Sequence, residues 1–153
     1  MAGTPASNAL NLEFPPVSSS FRCAVMTPDG AAFDGDVSYA SLPAWDGQYG
    51  VMAGMSPLLD RLGIGPLRLD TGSGTEWFSI EEGFAHVRDN TLTILSEAVY
   101  SVNDLSINEL QQELKQFESS EDAGQLSEER NRQLKRLKTR LELAEHHGST
   151  RSA

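Results

Sequence analysis

The sequence predicts an all-β antiparallel sandwich or barrel followed by a C-terminal α-helical hairpin, on three observations. Apolar residues alternate in short runs between residues 21 and 103, and the runs are separated by turn chemistry. Alternation places one face of a strand in a core. Between residues 104 and 147 the apolar spacing changes to three and four, the period of a helix. The charge changes with the spacing. Through Asp104 there are 4 basic and 13 acidic residues, a net of −9, whereas the remainder carries a net of −1 with its signs in blocks.

The first strand places Phe21, Cys23 and Val25 on one face and is ended by Pro28-Asp29-Gly30, where proline presets φ and Asp-Gly completes a reversal. Asp34-Gly35 predicts another turn, after which Val37 and Tyr39 resume the alternation. Glycines at 47, 50, 54, 63 and 65 predict a turn-rich stretch, within which Ser56-Pro57-Leu58-Leu59 reads as one turn of helix or a bend. Gly63-Ile64-Gly65, followed by Pro66, reads as a turn between strands. Leu67 and Leu69 then lead into a hairpin at Gly72-Ser73-Gly74. Phe78 and Ile80 follow. Ala85 and Val87 face away from Phe84, His86 and Arg88, Asp89-Asn90 turns the chain, and Leu92 and Ile94 continue the pattern.

In the hairpin, Ile107, Leu110, Leu114 and Phe117 form the first stripe, and Ser106 with Glu109 fits a capping box. Gly124 lies in a polar connector. A second helix begins at Ser127, with Glu128 and Glu129 in its first turn, carries Leu134, Leu137, Leu141 and Ala144 as its seam, and stops at His146-His147-Gly148. Both seams are narrow. Either they zip together and rest on the strands, or the hairpin detaches and packs elsewhere; the sequence leaves both open. Residues 1–20 read as a flexible leader without the marks of a secretory or mitochondrial signal, and 148–153 as a disordered tail.

Composition narrows the function. With 39% hydrophobic and 22% charged residues in 153, the chain can bury one core, and no apolar run reaches the ~20 residues of a membrane span. A net charge of −10 argues against nucleic acid as a partner. One cysteine, Cys23, allows no internal disulfide, and the chain reads as cytosolic. No G-x-x-x-x-G-K-[ST] loop is present, no nucleophile elbow frames a serine, and His86, His146 and His147 make no metal-ligand spacing. The expected cofactors, metal ligands, catalytic residues and nucleotide-binding residues are therefore none.

Two features stand out. The segment D-G-Q-Y-G-V-M-A-G-M-S-P-L-L, residues 46–59, is either a loop that tops the core or a contact loop with Tyr49 exposed. The run Arg130, Arg132, Lys135, Arg136, Lys138, Arg140 contains no acid, and is either a solvated face or a surface for an acidic protein partner.

These residues carry a resemblance. A sandwich followed by a helical hairpin, with Gly47-Gln48-Tyr49-Gly50-Val51-Met52-Ala53-Gly54-Met55-Ser56-Pro57-Leu58-Leu59 leading to Leu62, Gly65, Leu67 and Leu69, resembles the ε subunit of the bacterial F-type ATP synthase. Phe33-Asp34-Gly35-Asp36-Val37, Glu82-Gly83-Phe84-Ala85-His86-Val87 and Asn90-Thr91-Leu92-Thr93-Ile94-Leu95 are similar to further phrases of that family in the same order. Departures are Met55 for the family's usual histidine, Ala53 for proline, Glu82 for glycine and Gln48 for an acid. Residues 104–114 also lack the Arg-Ala pair that helps some members bind ATP, so ATP binding is expected to be weak or absent.

The resemblance implies a non-catalytic rotor subunit on the cytoplasmic face of the bacterial inner membrane. It would couple proton-driven rotation to ATP synthesis, with the γ subunit and the c-ring as partners and membrane contact only through the complex. It implies a c-ring contact at Gln48, Tyr49 and Gly50, and a regulatory contact of the hairpin with the catalytic β/α subunits through Arg132, Arg136 and Arg140. The rival readings are a free-standing adaptor whose coiled-coil tail recruits an unrelated partner, and a small hydrolase using sandwich carboxylates.

Overall fold

Six strands alternate as the apolar pattern requires: β1 (Phe21–Thr27), β2 (Gly30–Ala44), β3 (Gly47–Met52), β4 (Leu58–Thr71), β5 (Gly74–Arg88) and β6 (Thr91–Ser101). A 3-10 turn (Val102–Asp104) leads to α1 (Ile107–Ser119) and α2 (Glu128–His147). The computed structural model describes residues 20–120 and 127–148; the expected leader apart from Ser20, the tail beyond Gly148 and the connector glycine Gly124 lie outside the described residues.

The strands run β1-β6-β5-β4-β2-β3, and a further pairing of β1 with β2 closes five of them into a barrel, with β3 added outside β2. Closure removes free edges that would otherwise invite pairing with other chains. Every pairing is antiparallel except β1 with β6, which run parallel from Arg22↔Thr91 to Met26↔Leu95. The barrel is filled by one apolar cluster, including Cys23, Val25, Leu42, Leu62, Leu67, Leu69, Ile80, Leu92 and Ile94, none of which is measurably exposed. Burial pushes the Cys23 thiol up to about 12, with the charge of Asp34 adding to the shift.

Turn chemistry acts where it was expected at three hairpins. Thr27 Oγ1 accepts from Asp29 N and donates to Gly30 O, and Thr71 Oγ1 repeats the device with Ser73 N and Gly74 O. Asp89 and Asn90, at φ 51° and 57°, make the β5–β6 turn, and the Asn90 side chain binds Ser20 O and Gly54 N.

Three expected turns are strand instead. Asp34 and Gly35 continue β2, paired with Ala24 and Cys23, and Asp34 meets Arg22 at 2.7 Å. There the inter-strand ladder outweighs a local turn preference. Gly63-Ile64-Gly65-Pro66 runs through β4 rather than joining two strands. Gly65 is needed there because a Cβ would stand 2.6 Å from Pro43 Cβ on the neighbouring strand. Gly47 and Gly50 belong to β3, and Leu58-Leu59 begin β4, so the segment from Ser56 is a bend and not a helical turn.

One irregularity sets the parity of β5. Phe78 and Ile80 are buried in the barrel, and so are Ala85 and Val87, an odd number of residues later. Strict alternation cannot bury both pairs from one face. The register does not shift there: Glu81 and Gly83 face Ala98 and Ser96 on β6, and Ile64 and Leu62 on β4, with Glu82 and the residues opposite it, Glu97 and Gly63, left out of the pairing. The faces exchange through the backbone of Glu82, which lies in the left-handed region at φ 55°. Gly83, at φ 147°, brings the chain so close to the Leu95 carbonyl that a Cβ has no room.

Both helices are capped as expected. Ser106 Oγ accepts from Glu109 N and Ser127 Oγ from Arg130 N. Leu110, Leu137 and Ala144 are buried between the helices, with Ile107, Leu114, Phe117 and Leu141 packed against them. The second seam differs from expectation in one place: Leu143 is buried and Leu134 is only partly so. The reason is that α2 contacts both α1 and the barrel and so needs two faces.

Candidate functional site

The second face of α2 is built from Arg132, Arg136, Arg140, Leu143 and His147, spaced four, four, three and four residues apart, which is one stripe of a helix. It lies along β5 and β4. Arg132 Nη1 donates to Glu82 Oε1 at 3.2 Å. Arg140 Nη2 stands 3.1 Å from Glu81 Oε1, and Arg136 Nε 3.4 Å from Glu81 Oε2. The Arg140 guanidinium also lies over the Tyr100 ring at 4.5 Å. Leu143 reaches a cleft shared with Ile64, Pro66 and Trp77, and the His147 ring stacks on Trp77 with centroids 3.8 Å apart and planes 13° from parallel. The three arginines of the stripe are thus brought together, with their charges turned toward the protein's own barrel.

This is possible because of the left-handed backbone at Glu82. Glu81 projects outward beneath α2 while Ile80 points into the core. In an unbroken strand Glu82 would point inward; its left-handed backbone instead delivers its carboxylate to the same side as that of Glu81. Two adjacent acids therefore meet three arginines. The side chains of Glu81, Arg136 and Arg140 retain only 10%, 18% and 16% of their exposure. Glu81 Oε1 and the Nε atoms of Arg136 and Arg140 nevertheless lack a well-directed hydrogen bond. Burial raises the Glu81 pKa above the ordinary carboxylate value, and the two arginines offset this only in part. The contact is held by charge proximity, with much of the desolvation cost uncompensated.

The other cations of the run behave differently. Arg130 Nη2 donates to Phe117 O at 2.7 Å and to Ser120 Oγ at 3.2 Å, so it closes the C-terminal end of α1. Lys138 is exposed.

Gln48, Tyr49 and Gly50 lie within strand β3, not in a loop, and they do not share a direction. Gln48 is exposed, accepting from Ser41 Oγ and donating to Pro66 O. Tyr49, expected to be exposed, packs against the core with its hydroxyl buried, and burial followed by the Asp60 charge pushes its pKa up to about 12. Tyr39 crosses Gly50, so that a Cβ there would stand 2.6 Å from the Tyr39 hydroxyl oxygen and a larger residue would displace that side chain. The tip of this hairpin is Trp45-Asp46, and Trp45 is 64% exposed with the Arg61 guanidinium 4.3 Å from its ring.

Trp45 opens onto a surface that the sequence reading missed. Arg61, Phe84, Leu95 and Met26 are successive partners across β4, β5, β6 and β1 and line a cleft of about 710 Å³. Phe84 and Leu95 are both more than half exposed, and Leu59 is more so. An outward apolar row on a closed barrel marks a protein contact. The available signal was the swap of parity after Ile80, which turns Phe84 outward.

Among the described residues, no group of three or more His, Cys, Asp or Glu side chains is placed to hold a metal, and no helix is long and apolar enough to cross a membrane.

Comparison with known proteins adds to this geometry. The family model for the "ATP synthase, Delta/Epsilon chain, beta-sandwich domain" matches residues 20–102. The ATP synthase epsilon chain of Rhodopirellula baltica is 39% identical over 90 residues, spanning 59% of this chain and 70% of that one. That of Priestia megaterium is 30% identical over 106 residues, 69% of this chain and 79% of its own. A chain of the Euglena gracilis mitochondrial ATP synthase structure, described as OSCP/F1/c-ring, superposes with a TM-score of 0.72 at 19% identity, covering 86% of this chain and 85% of that one. At that identity the superposition speaks for the fold, and it extends beyond the strands into the helices.

Proposed function

The chain belongs to the ATP synthase delta/epsilon family, and from that premise we propose that it serves as a non-catalytic rotor subunit whose hairpin regulates ATP hydrolysis. The barrel is the permanent coupling piece. Its apolar row from Met26 through Leu95 and Phe84 to Arg61 and Trp45 is the surface offered to the γ subunit. The exposed end of β3, Gln48 and Gly50 beside the Trp45-Asp46 turn, is offered to the c-ring, while Tyr49 stiffens that strand from within. The subunit sits on the cytoplasmic face of a bacterial membrane, and reaches the membrane only through the complex.

One observation carries the regulatory part: α2 meets the barrel through ion pairs at Arg132, Arg136 and Arg140, and those of Arg136 and Arg140 to Glu81 lack well-directed hydrogen bonds. A contact of this kind separates without unfolding either side. Once free, the same arginines present three positive charges along one helix face to acidic segments of the catalytic β/α subunits. Replacing all three with Ala in the assembled synthase is expected to raise the hydrolysis rate with assembly intact. Unchanged hydrolysis in a fully assembled complex overturns the regulatory role.

A further inference from the structure

We propose that residues 10–14 of the chain's own N-terminal segment cover the outward apolar row of the barrel, and that the γ subunit must displace them to bind there. The cover is a property of the chain alone; its displacement rests on the surface assigned to γ above.

Leu59, Phe84 and Leu95 are 70%, 54% and 54% exposed, and their strands place them side by side: Arg61, Phe84, Leu95 and Met26 are successive partners, with Leu59 two residues from Arg61 on β4. Apolar side chains gathered on an outer wall gain by being covered. The segment outside the described residues supplies a matching surface. Leu10, Leu12 and Phe14 alternate with Asn11 and Glu13, so an extended chain carries the three apolar side chains on one side. Its point of attachment favours this site. Asn90 Nδ2 donates to Ser20 O, which fixes the end of the segment at the β5–β6 turn. From Thr91, beside that turn, to Leu95 is four residues of β6, or ~13 Å. Phe14 precedes Ser20 by six residues, which span up to ~20 Å, so the chain can fold back onto the row. Charge agrees. Glu13 is the only charged residue among residues 1–19, and the Arg61 guanidinium, over the Trp45 ring, pairs with no carboxylate among the described residues. Of the acids that border the cleft, Glu82 pairs with Arg132 and Glu97 stands on β6, two strands from Arg61. Tethering decides between this segment and a second copy of the chain. A short link holds the segment at an effective concentration of about millimolar, far above that of dilute free protein.

The test uses the full chain carrying Asn11→Cys and Glu97→Cys, oxidised at low protein concentration, with the products resolved by mass. Glu97 is exposed beside the row, both substitutions leave the apolar residues in place, and the buried Cys23 does not compete. Asn11→Cys with Ser73→Cys is the control. Ser73 is exposed and lies close to Thr71, whose β2 partner Val37 also pairs with Phe21, so a segment without preference reaches it as readily. The expected result is an intramolecular disulfide at position 97 formed about tenfold faster than at position 73. Adding Phe14→Asn should slow it roughly fivefold, and adding Glu13→Gln by less than about threefold. Equal rates at the two positions overturn the proposal. So do disulfide-linked dimers, which would make a second copy the occupant. Purified γ subunit added before oxidation should suppress the disulfide at position 97. If γ binds while that disulfide forms at the same rate, the cover stands and the assignment of this surface to γ falls.

Discussion

The barrel and the α2 contact are both buried, yet they are held by different physics. Inside the barrel, side chains such as Leu62, Leu92 and Ile94 meet only apolar neighbours, and the strands close on themselves through β1, so neither face nor edge offers a gradual way out. Across the α2 contact, the two cations that meet Glu81 do so without completing their hydrogen bonds. Apolar burial contributes steadily, at about 25 cal/mol per Å². Buried ion pairs return little beyond their own desolvation. A chain can thus close one part by apolar burial and attach another through charges that keep some of their exposure.

Gly83→Ala should strain this contrast most. Its Cβ would enter the space of the Leu95 carbonyl, so β5 and β6 must part, and the barrel is expected to lose its cooperative melt altogether. Ile80→Ala comes next. It removes a side chain with no exposure and should cost about 2–5 kcal/mol, read by denaturant unfolding, with the α1–α2 cluster lost in the same transition or earlier. Ser127→Ala should cost about 1 kcal/mol of helix stability. Hydrogen exchange would show it as faster exchange in the first turn of α2, with the strand amides unaltered.

The smallest effect is that of pH. In the docked state the His147 pKa lies below its ordinary 6.5, first through burial and then through the charges of His146 and Arg68. A docked histidine that resists protonation makes docking weaken as pH falls through 6.5, because the released ring takes the proton more readily. Arg68 is itself paired with Asp70, while Glu142 and Lys135 border the same cleft. Glu81 acts in the opposite sense: its raised pKa means that docking gains as pH falls toward 4.5. Distances between spin labels on Ser73→Cys and Lys138→Cys, both exposed positions, followed from pH 7.5 downward should show loosening first, removed by His147→Asn, and then partial recovery.

Most of the barrel was legible in the alternation of Phe21 to Ile94, because a strand with one buried face leaves that mark directly. The glycines of residues 47–65 misled. They serve close approaches, Gly65 under Pro43 and Gly50 under Tyr39, and close approach and turning call for the same residue. The docking face of α2 was hidden for another reason. Its period was visible in Arg132, Arg136 and Arg140, but charges at helical spacing ordinarily face water, and nothing in one sequence tells that Glu81 and Glu82 wait opposite. The break at Glu82 had left a trace, since Ile80 and Ala85 cannot share a face of an unbroken strand.

Because Glu82 and Gly83 turn the strand over without adding a residue, β5 keeps step with both neighbours while it exchanges which side faces the core. Deleting a single residue between 80 and 84 would put everything downstream one place out of step with β4 and β6. An alignment gap placed there would therefore call for compensating gaps in both neighbouring strands.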